Sequence, residues 1–551
     1  MTDYNMQPWA KYYDYTYGNL INDSTEKYAD NEYLVFKDKR YTYRETLNTV
    51  NELSRGLLDI GVKKGDRVAA LLANTPEMIF AYYATAKIGA VIVPLNPALR
   101  VPEIERQLRI AECSTILFID KYRGSDYLQM MKEVLPGMTT STGSLSENIP
   151  FLKNVIILKT ENSKNYPNMI SYADIVTLGA KKVKDGLLEK AEDEVVATDP
   201  QCIYYSSGTT GAPKASLVPH RMIVAAFEGG SRFGWTEKDI LLNPMPLFHI
   251  FGFQVVALSA MIFGAKVILL EAYDPHECLK LIEQEKCTAA FGVPTMFQLM
   301  LDHPKFIDYN ITTLKKGGMG AAPASPALLR RLIDLGMDHV ESFDGMSECS
   351  IHPQTVPTDS IDVIANTCGK SRTSLDMKIV DLQTRRLCPI NVPGELLIRG
   401  DTMLIEYYNQ PELTEERIDK NRWFRTGDIW KIDEEGNYTF ISRADDVYNR
   451  GGEMISPVEV QNAIMEHPKV QLAEVVGVPD SLLGQEGAAF IILHKNETCS
   501  DSEIKEFLMN KIAKYKIPKY YVFTDQFPTT ASGKVQKFKL IEKAVEIYSL
   551  K

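Results

Sequence analysis

Residues 204–216 read Tyr-Tyr-Ser-Ser-Gly-Thr-Thr-Gly-Ala-Pro-Lys-Ala-Ser. The hydroxyls of Ser206, Ser207, Thr209 and Thr210 are interleaved with Gly208 and Gly211, and Lys214 closes the run. Glycines let a backbone turn its N–H groups toward an anion, hydroxyls add donors, and lysine adds positive charge. This is the chemistry of a loop that holds polyphosphate. A solvated polar turn is the plainer reading of such a loop taken alone; the density of donors and the closing lysine argue against it. The common P-loop ends in Gly-Lys-Ser/Thr and opens a helix. Here Pro213 precedes Lys214, and proline disfavours helical geometry in the residue before it. The run is therefore expected to join two strands, with Cys202-Ile203-Tyr204 as the end of the first.

Outward from this loop the chain reads as a globular α/β protein. Its 551 residues exceed one ordinary core and predict at least two domains. Apolar residues make up 45% and charged residues 24%, with a net charge of −11 and no basic blocks, which argues against nucleic acid as a partner. The eight cysteines stand singly, with no Cys-x-x-Cys pair, so neither a zinc site nor a disulfide framework is expected. Residues 78–95 and 255–270 are apolar, but each is broken by a lysine and a glycine. Each reads as a buried helix, a Gly-Ala turn and a β-branched strand rather than a membrane span. The N-terminus has no basic-then-apolar leader, and a cytoplasmic protein is expected.

Apolar strand-like runs alternate with amphipathic helices through the first 440 residues, the pattern of helix-covered mixed sheets. Residues 136–168, rich in Ser, Thr, Asn, Gly and Pro, are expected to be surface connections. A β-rich subdomain is expected near 376–400, and Gly436-Asn437 as a hairpin turn. The boundary is placed at the polar run 442–452. It gives a large domain over 1–444 and a small, mobile α+β domain over 445–551.

Four further runs follow the loop in order: Gly317-Gly318-Met319-Gly320-Ala321-Ala322-Pro323, Asp344-Gly345-Met346-Ser347-Glu348, Trp423-Phe424-Arg425-Thr426-Gly427-Asp428 and Thr529-Thr530-Ala531-Ser532-Gly533-Lys534. With these, the chain resembles the adenylate-forming superfamily, which includes acyl- and aryl-CoA synthetases and peptide-synthetase adenylation domains. The family's loop reads Tyr-Thr-Ser-Gly-Thr-Thr-Gly-x-Pro-Lys-Gly; Ser206 and Ala215 are small departures from it. The resemblance runs from about Tyr41 to Leu540, and the order of the motifs makes it specific.

The resemblance implies an ATP-dependent acyl-CoA synthetase, with ATP, Mg²⁺ and CoA beside a carboxylic acid. It places the triphosphate on residues 206–211 and Lys214, and adenine beside Gly320, Ala321, Ala322 and Pro323. Ser347 is assigned to the α-phosphate and Glu348 to Mg²⁺, a hard oxygen donor for a hard ion. Asp428 is assigned to the ribose diol, Arg443 to ribose or phosphate, and Lys534 to the reacting carboxylate and α-phosphate. Asp344 stands where the family has an aromatic on adenine, and Phe343 is the substitute, with Gly345 and Met346 completing the turn.

The resemblance also makes Asp445 a hinge and Arg450, Gly451 and Gly452 the face used with CoA. Asn449 replaces a lysine found in some relatives. His249, with Phe251 and Gly252, falls where the family gates its acyl pocket, and a buried core histidine is the alternative. No acid stands beside His249 to hold a substrate amine, so a fatty or other hydrophobic acid is expected. The rivals are a ligase loading a separate carrier protein and a silent acyl-binding protein. The sequence does not speak to oligomeric state.

Overall fold

The computed structural model describes residues 7–140, 144–160, 166–206, 213–320, 324–443, 446–450, 453–509, 511–529 and 535–550, the side chains of Glu453 and Met454 excepted. The chain divides into two compact units, one of residues 1–376 and 399–422, the other of 377–398 and 423–551. The expected boundary at 444/445 lies inside the second unit, and residues 377–398 lie with the C-terminal part.

Among the described residues the first unit carries an eight-stranded and a nine-stranded sheet, both mixed. In the eight-stranded sheet, strands Pro200–Ser206, Val91–Pro94, Arg67–Leu71, Thr115–Ile119 and Asn154–Leu158 run parallel. They read as near-continuous apolar runs because helices cover both faces of a parallel sheet. One edge then turns antiparallel: Pro200–Ser206 pairs with Lys214–Pro219, which pairs with the short strand Glu406–Tyr407. The nine-stranded sheet repeats this plan. Strands Ala289–Gly292, Lys316–Gly320 and His339–Met346 are parallel, and the hairpin to Ser350–Gln354 is antiparallel.

The two apolar stretches are helix–turn–strand units, one in each sheet. Helix Pro76–Lys87 starts on a proline and turns at Gly89 into Val91–Pro94. The second begins as a π-helix, Phe251–Leu258, continues as Ser259–Phe263, and turns at Gly264 into Lys266–Leu269. Gly264 has φ +80°, and a Cβ there would lie 2.6 Å from the Tyr28 ring. Residues 136–168 are not all surface connection. Asn154–Leu158 is a strand of the eight-stranded sheet with Val155, Ile156 and Ile157 buried. The loop composition around it hid the four-residue apolar run 155–158.

The second unit holds a four-stranded sheet, of Asp376–Val380, Gly394–Arg399, Phe424–Ile432 and Tyr438–Arg443, and a five-stranded one. The turn at Gly436, φ +84°, joins the last two strands of the first sheet as expected. In the five-stranded sheet, the long hairpin Val470–Asp480 and Gly484–Leu493 has an apolar cluster on each face. Helices Pro457–Met465 and Asp501–Met509 pack Val460, Ile464, Ile504 and Leu508 into one cluster, and helix Lys537–Tyr548 packs Leu540 and Ala544 into the other. The α/β fold class, with a small α+β part at the C-terminal end, is as the sequence predicts.

Candidate active site

In both sheets of the first unit the candidate residues sit where parallel order gives way to an antiparallel hairpin. They lie at carboxyl ends of parallel strands, the edge at which open α/β sheets bind ligands. Ser206 ends strand Pro200–Ser206 and faces Lys214 across the ladder, so the glycine-rich run is the strand-to-strand connection expected. Ser207, Gly208, Thr209, Thr210 and Gly211 lie outside the described residues. So do Ala321, Ala322 and Pro323, which follow the strand end at Gly320.

Gly320 is paired with Phe343 on the neighbouring strand, and a Cβ at Gly320 would lie 2.6 Å from the Phe343 ring. Phe343 is buried, with its ring edge-to-face to Phe251 at 5.2 Å and to Phe233 at 5.8 Å. Phe251 opens the π-helix, and π-turns often mark functional sites. Gly252 packs so close to the Met245 and Pro246 carbonyls that a Cβ would come within 2.6 Å of both. His249 is half-buried just before this helix; its N–H donates to the Pro246 carbonyl at 3.1 Å. The expected acyl gate and the adenine-side strand thus share one aromatic wall, Phe251 against Phe343.

The hairpin His339–Met346 to Ser350–Gln354 closes Met346 on Ser350, leaving Ser347, Glu348 and Cys349 as its turn. Ser347 and Glu348 are nearly buried, Glu348 at 7% exposure. The Tyr407 phenol donates to Oε1 of Glu348 at 2.8 Å, and the Leu404 N–H donates to the Glu348 carbonyl at 2.6 Å. Oε2 stands outside that bond, a hard anionic oxygen of the kind Mg²⁺ takes. Across the hairpin, Asp344 Oδ2 lies 3.2 Å from Nε2 of the buried His352. Burial alone would discharge His352, but Cys349 and Asp344 outweigh it and carry its pKa up to about 10. Asp344 is therefore paired with a buried imidazole.

In the second unit, strands Phe424–Ile432 and Tyr438–Arg443 place Asp428 directly opposite Arg443, with Arg443 Nε 3.6 Å from Asp428 Oδ1. Gly427, φ +75°, makes the bend before Asp428, and the Thr426 hydroxyl accepts the Asp428 N–H at 3.0 Å. Two motifs separated by 14 residues in the sequence meet here across one ladder. Arg450 is engaged with Glu486, Nε to Oε2 and Nη2 to Oε1 each at 2.8 Å, and that bond raises its pKa.

Asp445, Gly451, Gly452 and Lys534 lie outside the described residues. Contacts of described residues are found near two of them. Lys537 pairs with Asp446 at 2.7 Å, and Thr529 is bridged to Val535. Elsewhere His467, Cys499 and Glu503 converge, but the Lys469 ammonium sits 2.7 Å from Glu503 and the Lys469 N–H donates to His467 Nδ1. That cluster already holds its own cation.

Sequence reasoning missed residues 404–410 altogether. The Gln410 amide accepts the Ala215 N–H at 2.9 Å and donates to the Pro213 carbonyl at 3.0 Å, and the Tyr408 N–H donates to the Ala215 carbonyl at 2.8 Å. Nothing in Glu406-Tyr407-Tyr408-Asn409-Gln410 announces this. It reads as a short polar approach to the helix that Pro411 opens.

The family described as AMP-binding enzyme matches residues 21–408, and the AMP-binding enzyme C-terminal domain matches 459–534. The chain belongs to the AMP-binding enzymes, acyl-CoA synthetase type. It is 35% identical over 542 residues to the putative acyl-CoA synthetase YngI of Bacillus subtilis, covering 97% of this chain and 98% of that protein. It is 34% identical over 540 residues to the mitochondrial medium-chain acyl-CoA ligase ACSF2 of Mus musculus, covering 96% and 87%. In fold it is similar to the anthranilate CoA ligase AuaEII in complex with anthranoyl-AMP, with a TM-score of 0.85 at 23% identity over the whole of both chains. It is similar also to ATP-bound MatB of Rhodopseudomonas palustris, with a TM-score of 0.80 at 23% identity over 96% and 99%. No helix among the described residues is long and apolar enough to cross a membrane.

Proposed function

We propose that this AMP-binding enzyme activates a hydrophobic carboxylic acid with ATP and passes the acyl group to CoA. A free carboxylate has no good leaving group. Attack of its oxygen on the α-phosphorus of ATP breaks the bond to the β-phosphate oxygen, releases pyrophosphate and leaves an acyl-adenylate. The thiolate of CoA then attacks the acyl carbon, the mixed-anhydride C–O bond breaks, and AMP leaves.

The observation that carries this reading is the meeting of the Lys214 strand and the Ser347–Glu348 turn on one edge segment, with Phe251 and Phe343 as an apolar wall close by. Lys214 and the loop donors hold the departing phosphates, Ser347 donates to the α-phosphate, and Lys534 balances charge as the adenylate forms. Glu348 is the residue that would hold Mg²⁺, which supplies charge neutralisation on the phosphates. Asp428 and Arg443 present a carboxylate and a guanidinium on one face, suited to a ribose diol and a phosphate. The aromatic wall, and a sequence with no acidic residue next to His249, favour a fatty or aryl acid over an amino acid. Medium-chain fatty acids come first because a relative bears that name.

The test is pyrophosphate release across a panel of carboxylic acids, with and without CoA. Release with medium-chain acids and an acyl-CoA product are expected. Absence of pyrophosphate with every acid in the presence of Mg²⁺ sinks the reading, and thioester forming only on a carrier protein redirects it.

A further inference from the structure

The stem of the glycine-rich loop and the Ser347–Glu348 turn belong to different sheets and meet on residues 404–410. Tyr407 lies at the centre of that meeting. It is 1% exposed, pairs with Ser216 on the Lys214 strand, and is flanked by the Gln410 staple on Pro213 and Ala215. Its own N–H donates to Thr414 Oγ1 at 3.0 Å, so its backbone is held on both sides.

A carboxylate fixed at one oxygen has its rotamer set and its second oxygen aimed. Leu404 fixes the backbone of Glu348 and Tyr407 fixes Oε1, both from the segment that also holds the Lys214 strand. We propose that Tyr407 is the positioning residue of Glu348, holding one carboxylate oxygen so that the other points to where the metal–nucleotide complex is bound. This rests on the reading of Glu348 given above. Glu348 and the phosphate-binding lysine are thereby set by a single strap.

The experiment compares wild type, Tyr407→Phe, Glu348→Gln and the double variant in Mn²⁺ binding by EPR with ATP present and no acid. The same variants are assayed for ATP–pyrophosphate exchange and for CoA transfer from preformed acyl-AMP. A lost bond to a charged group predicts Mn²⁺ affinity and exchange each about tenfold lower in Tyr407→Phe. It also predicts transfer from acyl-AMP close to wild type. The double variant is expected to be no worse than Glu348→Gln.

Thr414→Val, which loosens the Tyr407 backbone without touching Glu348, should shift Mn²⁺ affinity the same way. It stands in if Tyr407→Phe does not fold. Wild-type Mn²⁺ affinity in a folded Tyr407→Phe, or in Thr414→Val where that variant stands in, overturns the proposal, as do losses that multiply in the double variant. Those outcomes require a wild-type enzyme that exchanges pyrophosphate; a wild type that does not overturns the functional reading instead.

Discussion

Lys534, Gly320 and Asp344 show three ways in which a residue's role is or is not written in its neighbours. Lys534 is one of many lysines and gains meaning only from the ordered motifs before it. Lys534→Ala is expected to cripple adenylate formation while preformed acyl-AMP still passes to CoA, measured as the two partial reactions; equal loss of both contradicts the assignment. Gly320 read as a residue beside adenine. The structure adds a tighter reason, the Phe343 ring 2.6 Å from where a Cβ would be. That ring is wedged by Phe233 and Phe251, so Gly320→Ala is expected to cost about 1–3 kcal/mol in denaturant unfolding. Asp344 read only as a departure from an aromatic. Its partner, His352, stands eight positions on and needs the hairpin register to bring it within 3.2 Å.

Elements were legible where hydrophobic period and punctuation agreed. Thr115–Ile119, the helix that Pro76 opens and the turn at Gly436 each have an apolar run and a sharp stop. The π-helix Phe251–Leu258 was legible only as a buried helix, because its all-apolar run gives no phase from which to read a wider turn. The strap at 404–410 was not legible, since a two-residue edge strand has no period.

Strand His339–Met346 carries a further titratable group that no motif announces. Burial pushes Glu341 up to about 8, against the hydrogen bond it accepts from Gln354 at 2.7 Å. Free glutamate titrates near 4.5. Between those pH values the folded chain keeps a proton that the unfolded chain has released, so this contribution to stability is whole below about 4.5 and is lost as pH rises to about 8. Glu341→Gln should therefore gain on wild type in urea midpoint between pH 5 and pH 8.5. An equal difference at the two pH values would count against a raised pKa.

At the scale of the molecule, the order of motifs revealed the family, while the division of the chain did not follow that order. Residues 399–422 return to the first unit between two neighbouring strands of the second, Gly394–Arg399 and Phe424–Ile432. Composition cannot show such a return, because it records no partners. We expect Asp445→Pro to spare pyrophosphate release and to block acyl transfer to CoA, measured as separate half-reactions; parallel loss of both would remove the pivot. The return also sets a timetable for biosynthesis. The loop stem, at 213–215, is synthesised almost two hundred residues before Gln410, its staple, and the Tyr407 strand that completes its sheet edge. Through that interval the emerging chain bears an open sheet edge beside an unfinished loop stem, a state inviting to chaperones and to neighbouring nascent chains. Ribosome-arrested fragments ending before residue 404 should bind no nucleotide, and those long enough to free residue 417 from the exit tunnel should be the first to hold the loop stem closed.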